Sequence, residues 1–238
     1  MTKQHVTTEV WFSECGVVTS NYGPMEPMDW EGDERLATAI SERRVQFEPY
    51  QVPLGLKDLS GRTGEDFANF IPDFLIAGVA LLVVTQKMRD LLEQFDMGDN
   101  QLIEVPFFAL DGVTQRPERF WILAVATNKD GLDVENSSIG PEGKIENRQY
   151  IPLPNALRLV ESTQDYLLNS STVVKSGKGQ VALKSNVTKG ADLWADPLTG
   201  YDLLYFSDRL KRGIEDADLK INDMEFLPVV LTDGEPNT

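Results

Sequence analysis

Any chemistry in this chain has to start from its carboxylates. One histidine, His5, and one cysteine, Cys15, stand against 38 Asp and Glu. A lone histidine disfavours Ser-His and Cys-His nucleophilic catalysis as well as multi-histidine zinc sites. Asp96, Asp99 and Asp133 fall in segments that read as loops, and they are the residues a carboxylate-based or metal-dependent hydrolase would use. With acidic residues this abundant almost any pair can be proposed, so no catalytic residue is assigned. Asn128, Asp130, Gly131 and Asp133 resemble part of a calcium loop. Placing Gly131 at the invariant glycine puts Ala126 and Ser137 at the end positions, where carboxylates are needed, so a solvated turn is expected. Ser176-Gly177-Lys178-Gly179 is close to a phosphate loop, yet Thr172 stands where a glycine is required and Gly179 where a hydroxyl is required. That stretch reads instead as a hairpin turn between Val173-Val174 and Val181-Ala182-Leu183. No cofactor and no metal is expected.

What remains is binding. The formal net charge is -16, which disfavours nucleic acid and anionic lipid as partners and favours a protein with a basic surface. Contact positions on that reading are the acidic residues Asp130, Asp133, Glu135 and Glu142, together with Trp30, which lies between Asp29 and Glu31 and reads as an exposed aromatic anchor. Trp11, Trp121 and Trp194 are assigned to the core. Residues 1–11 are polar and carry no signal-peptide pattern. The longest apolar run, Phe74 to Val84, is far shorter than the roughly 18 residues of a membrane helix. A cytoplasmic protein is the expectation.

The elements that must position these groups show a pattern repeated once. Leu81 to Glu93 overlays on Leu203 to Glu215, with Gly78 and Gly200 in register upstream. Each copy reads as an apolar strand, a hydroxyl residue, a helix and a further strand. Met88, Leu91, Leu92 and Phe95 in the first copy, and Leu210, Ile214 and Ala217 in the second, recur at helical spacing and mark buried faces. Thr85 and Ser207 stand where a side-chain oxygen caps a helix. Val6 to Phe12 and Phe120 to Ala126 read as strands, Asp33 to Arg44 and Asn155 to Glu161 as helices, and Gly23 to Pro27 and Glu48 to Gly55 as irregular. The fold class is α+β, a mixed sheet with flanking helices built on two similar strand-helix-strand units. In 238 residues the expected division is 1–127, an exposed polar connection at 128–148, and 149–238, within one globule. Nothing in the sequence sets the oligomeric state.

The segment Leu203-Leu204-Tyr205-Phe206-Ser207-Asp208-Arg209-Leu210-Lys211-Arg212, followed by Met224-Glu225-Phe226-Leu227-Pro228-Val229, resembles the bacterial immunity protein 11 family. The likeness covers Leu203 to Leu231, with fainter similarity over Phe120 to Asp133; Asn222-Asp223-Met224 occupies the place of the family's usual glycine. The resemblance implies an inhibitor from a polymorphic-toxin or secretion-system locus that binds one cognate toxin, with no catalytic residue of its own. It also implies that Ser207, as cap, and Leu210 and Phe226, in the core, report the fold rather than the toxin-binding surface.

Overall fold

In a computed structural model of the chain, the described residues are 4–13, 24–28, 53–78, 81–133, 136–137, 139–146, 149–159, 181–196, 200–221 and 224–232, with backbone alone at 4–8, 139–146, 149–159 and 200–202. The strands are β1 (Gln4–Ser13), β2 (Met25–Met28), β3 (Gly55–Asp58), β4 (Phe74–Ala77), β5 (Leu81–Thr85), β6 (Gln101–Val105), β7 (Phe107–Phe108), β8 (Phe120–Ala124), β9 (Ile139–Glu146), β10 (Gln149–Leu159), β11 (Ala182–Lys184), β12 (Leu193–Asp196), β13 (Gly200–Ser207) and β14 (Leu227–Thr232). The helices are α1 (Gly64–Phe70), α2 (Gln86–Leu92) and α3 (Asp208–Asp216). The architecture is α+β with mixed sheets, as the sequence predicts.

The repeat is real in three dimensions, and it is permuted. One sheet has the order β4-β5-β8-β6 and the other β11-β14-β1-β13-β12. In both, a hairpin (β4-β5 or β12-β13) leads into a helix (α2 or α3) and then a strand (β6 or β14). An antiparallel strand fills the space between hairpin and last strand. In the first half that filler is β8, which follows β6. In the second it is β1, from the opposite end of the chain. Corresponding residues then match: Thr85 pairs with Phe120 and Ser207 with Val10, which aligns Trp121 with Trp11. Arg89 lies over the Trp121 ring at 5.7 Å and Lys211 over the Trp11 ring at 4.3 Å, and these two cations coincide in the sequence overlay.

Period-two alternation explains why the strands are apolar throughout. Phe74, Ile76, Leu82, Val84, Trp121 and Leu123 face a central cluster, while Leu75, Ala77, Leu81, Val83, Phe120 and Ile122 face the other way into a second core. The second sheet does the same, with Leu193, Ala195, Leu204 and Phe206 turned to the central cluster and Trp194, Leu203 and Tyr205 to a third. A sheet buried on both faces has no polar side to show. Met88 and Leu92 of α2 and Leu210 and Ile214 of α3 complete the central cluster, so the two halves share one core.

Two aspartates lock the halves in the same way. Asp73 accepts the Thr85 hydroxyl on Oδ1 and the Lys220 N–H on Oδ2 at 2.8 Å, while its own N–H donates to Lys220 O at 2.7 Å. Asp192 accepts the Ser207 hydroxyl at 2.5 Å and the Asp96 N–H at 2.8 Å, while its N–H donates to Asp96 O at 2.7 Å. Each carboxylate thus ties its own strand end to the loop that leaves the helix of the opposite half. Ser207 caps α3 as expected, accepting from Leu210 N at 3.1 Å. Thr85 occupies the same N-terminal position but makes no capping bond; its hydroxyl is committed to Asp73. Leu210 is fully buried, and Phe226 packs edge-on against Phe206 with ring centroids 5.1 Å apart.

Several local expectations are corrected. Residues 155–159 lie in β10 rather than a helix, because pairing with β9 in the register Leu157↔Pro141 to Leu159↔Ile139 overrides local helix preference. Met25–Met28 is an edge strand of the sheet β2-β3-β7, a place where Pro27 is tolerated because an edge leaves one side free of ladder bonds. Val181 to Leu183 contributes β11, which pairs in parallel with β14. Asp33 to Arg44, Val173-Val174 and Ser176 to Gly179 lie outside the described residues.

Asp192→Ala leaves the Asp96 N–H, the Ser207 hydroxyl and the Arg209 guanidinium without this acceptor, and should lower stability by about 2 kcal/mol in denaturant unfolding. Asp73→Ala should unfold both halves in one transition, since they share a core; two separated transitions would contradict this.

Candidate functional site

The segment 126–133, which runs into the start of the 128–148 stretch, closes the second sheet. On the β12 edge Lys129 N donates to Ala195 O at 3.0 Å and Ala195 N to Thr127 O at 3.0 Å. On the β11 edge Asp133 N donates to Ala182 O at 2.9 Å and Lys184 N to Gly131 O at 2.7 Å. One stretch therefore satisfies both free edges and rolls the sheet around Phe12, Leu132, Trp194, Tyr205 and Leu231. At the crossing point the wholly buried Asp196 carboxylate accepts the N–H groups of Gly131 and Leu132 at 3.0 and 2.9 Å. A Cβ on Gly131 would sit 2.0 Å from Val187 Cγ1, so only glycine fits there.

Lys129 is the pin of this closure. Its half-buried ammonium donates to Val187 O at 3.0 Å and Ala191 O at 2.8 Å, and lies 3.6 Å from the centre of the Trp194 ring. Burial pushes this amine down to about 8, with Asp192 and Asp96 acting in the opposite sense. Asp192 itself is pushed up by burial, but Arg209, Ser207 and the Asp96 N–H outweigh that and hold the carboxyl below its usual range.

Loop 96–100 packs against this segment. Asp99 N donates to Thr127 Oγ1 at 2.8 Å, Asn100 Oδ1 accepts from Thr127 N at 2.8 Å, and Gly98, at φ +56°, comes too close to Thr127 for any side chain. The exposed carboxylates of Asp96, Asp99 and Asp130 are thus carried on two loops fastened to one another. Of the contact positions predicted from sequence, Asp130 is exposed and belongs to this rim. Asp133 is turned inward: it accepts from Thr232 Oγ1 and Asn136 Nδ2, each at 2.8 Å, and holds the end of β14. These hydrogen bonds outweigh the burial that opposes them and keep its carboxyl below the usual range. Glu142 lies in β9, where the backbone alone is described, and Glu135 and Trp30 lie outside the described residues.

The residues that sequence reasoning missed are Asp73, Asp192, Asp196 and Lys129. A signal existed for the first two, since Pro72-Asp73-Phe74-Leu75 and Ala191-Asp192-Leu193-Trp194 each place one aspartate directly before an apolar strand. The arrangement places the exposed carboxylates of Asp96, Asp99 and Asp130 along one rim of two hydrogen-bonded loops. Among the described residues no group of three or more His, Cys, Asp or Glu could hold a metal ion. No helix among them is long and apolar enough to cross a membrane.

Gly131→Ala should destabilise the chain by about 2 kcal/mol through overpacking, and adding Val187→Ala should cost less than the sum of the single variants in a double-mutant cycle. Lys129 titrates lower in the folded chain than in the unfolded chain, so the unfolded state binds the extra proton between about pH 8 and pH 10.5. Wild-type stability should therefore rise relative to Lys129→Met across that window and stay parallel to it below; a flat difference profile would contradict the assignment.

Among curated proteins, none matches the chain. The sequence model of the Immunity protein family (Imm11) matches residues 42–231, a span that takes in both hairpin-helix-strand units, the two locking aspartates and the closing segment. With most of its length inside that model, the chain belongs to the Immunity protein family (Imm11).

Proposed function

We propose that this protein is the immunity partner of a cognate bacterial toxin, which it binds one-to-one in the cytoplasm and so neutralises. The single observation that carries this reading is the family match over residues 42–231. Immunity proteins act in general as binders rather than catalysts, in keeping with a chain in which the carboxylates of Asp73, Asp133, Asp192 and Asp196 are spent on internal hydrogen bonds. The toxin is one with a basic cleft, of the kind that handles an anionic substrate. A net charge of -16 steers such a cleft toward the protein at long range. Asp96, Asp99 and Asp130 supply the local field, because their loops are fixed in place and their side chains are exposed. Glu135, Glu142 and Trp30 remain proposed contacts, whereas Asp133 acts by holding β14.

The test is co-purification of the tagged chain with the product of the neighbouring gene, washed at low and high salt. A one-to-one complex that weakens with salt is expected. Asp99→Lys together with Asp130→Lys should slow association several-fold and flatten its salt dependence, with dissociation little changed. No complex at either salt, with a soluble neighbour, would overturn the reading.

A further inference from the structure

Five large apolar side chains are exposed among the described residues, and two of them, Leu110 (57%) and Val113 (80%), sit on the turn that follows β7. Exposed leucines are common on any protein; what sets this turn apart is how firmly it is built. Ala109 N donates to Thr114 O at 2.8 Å and Gly112 N to Ala109 O at 2.9 Å, closing the turn on itself. The Asp111 carboxylate accepts from Val113 N at 2.9 Å, Thr114 N at 2.8 Å and Thr114 Oγ1 at 2.6 Å. Gly112 adopts φ +68°, a backbone conformation that favours glycine.

The stem below is equally fixed. Phe108 bridges to Gln115, and Arg116 N donates to Phe107 O at 2.8 Å. The Arg116 guanidinium, 7% exposed, donates to the buried Asp58 at 2.6 Å, to Glu118 at 2.6 Å and to Arg62 O at 2.7 Å. It also lies 4.0 Å from the Phe67 ring centre and 5.0 Å from that of Phe107. A chain that needed only to turn here could do so with polar residues. This one holds two aliphatic side chains out in water on a hydrogen-bonded turn, with the exposed residue Asp111 between them.

Resting on the immunity reading above, we propose that the turn Leu110 to Val113 is the apolar anchor of the complex. It enters a concave site on the toxin that is apolar at its floor and basic at its rim. Its convex shape calls for a cleft, its side chains call for an apolar floor, and the Asp111 charge calls for a basic rim. Because the turn is already ordered, little conformational freedom is lost when it docks, and its contribution appears in residence time. The acidic rim on the other half acts at a distance and sets the rate of encounter.

The experiment measures association and dissociation of the purified toxin domain encoded by the neighbouring gene, at low and high salt, with thermal melting as a control for folding. Leu110→Ser with Val113→Ser should leave melting unchanged, since both side chains are exposed, and should speed dissociation by about tenfold or more with the salt dependence preserved. Asp111→Ala keeps both apolar groups but frees the turn, and should weaken binding through slower productive association. A wild-type complex whose dissociation is unchanged in the double variant overturns the anchor and leaves the immunity reading standing. Failure of the wild-type chain to bind overturns both.

Discussion

The rest of the structure hangs on a carboxylate placed one residue before a buried strand. Asp73 and Asp192 each collect a hydroxyl from the end of the neighbouring strand and a backbone N–H from the loop behind the opposite helix. In the interior such donors cannot be left unpaired, so the loop after each helix is bound to the half it did not come from. That exchange fixes how α2 and α3 meet and how the two sheets face one central apolar cluster. It also answers why the strands carry apolar residues on both faces: each sheet has a private core on one side and the shared core on the other.

The perimeter is held by hydrogen bonds of its own. Both free edges of the second sheet are satisfied by the segment 126–133, with Lys129 pinned by two carbonyls and a Trp face, so the exposed acids nearby stand on fixed backbone. In the first half, Arg116 plays the matching part by tying the stem of the 109–114 turn to Asp58 and to aromatic rings. An inhibitor profits from such rigidity, because every freedom lost on binding subtracts from affinity. In the complex proposed above, two different physical contributions are coupled, charge that acts at range and a small apolar contact that acts only once docked.

The same local arrangement is used twice. Helix, hydroxyl, aspartate, tryptophan and cation recur in equivalent places, with Trp121 under Arg89 and Trp11 beside Lys211. Where the copies differ is at their margins. Thr85 gives its hydroxyl to Asp73 and caps nothing, while Ser207 both donates to Asp192 and accepts from Leu210 N. In the first half the chain passes from β6 into β7 of the β2-β3-β7 sheet and on to the apolar turn, and the second sheet is closed by the segment that carries Asp130.

The sequence by itself determined the α+β class, the two strand-helix units, the helix faces of Met88, Leu92, Leu210 and Ile214, and the cap at Ser207. These follow from spacing within a dozen residues, where period and local hydrogen bonding are readable. The family resemblance in Leu203 to Leu231 was legible for the same reason. Only the tertiary structure decided that β1 completes the second unit, that 126–133 closes a sheet, and that residues 155–159 pair as a strand rather than coil into a helix. It alone turned Asp133 inward while leaving Asp130 outside. The partners of β1, of 126–133 and of Asp133 lie scores of residues away in the chain, as do Lys220 for Asp73 and Asp196 for Gly131, and a local pattern carries no information about which distant group will supply the missing hydrogen bond.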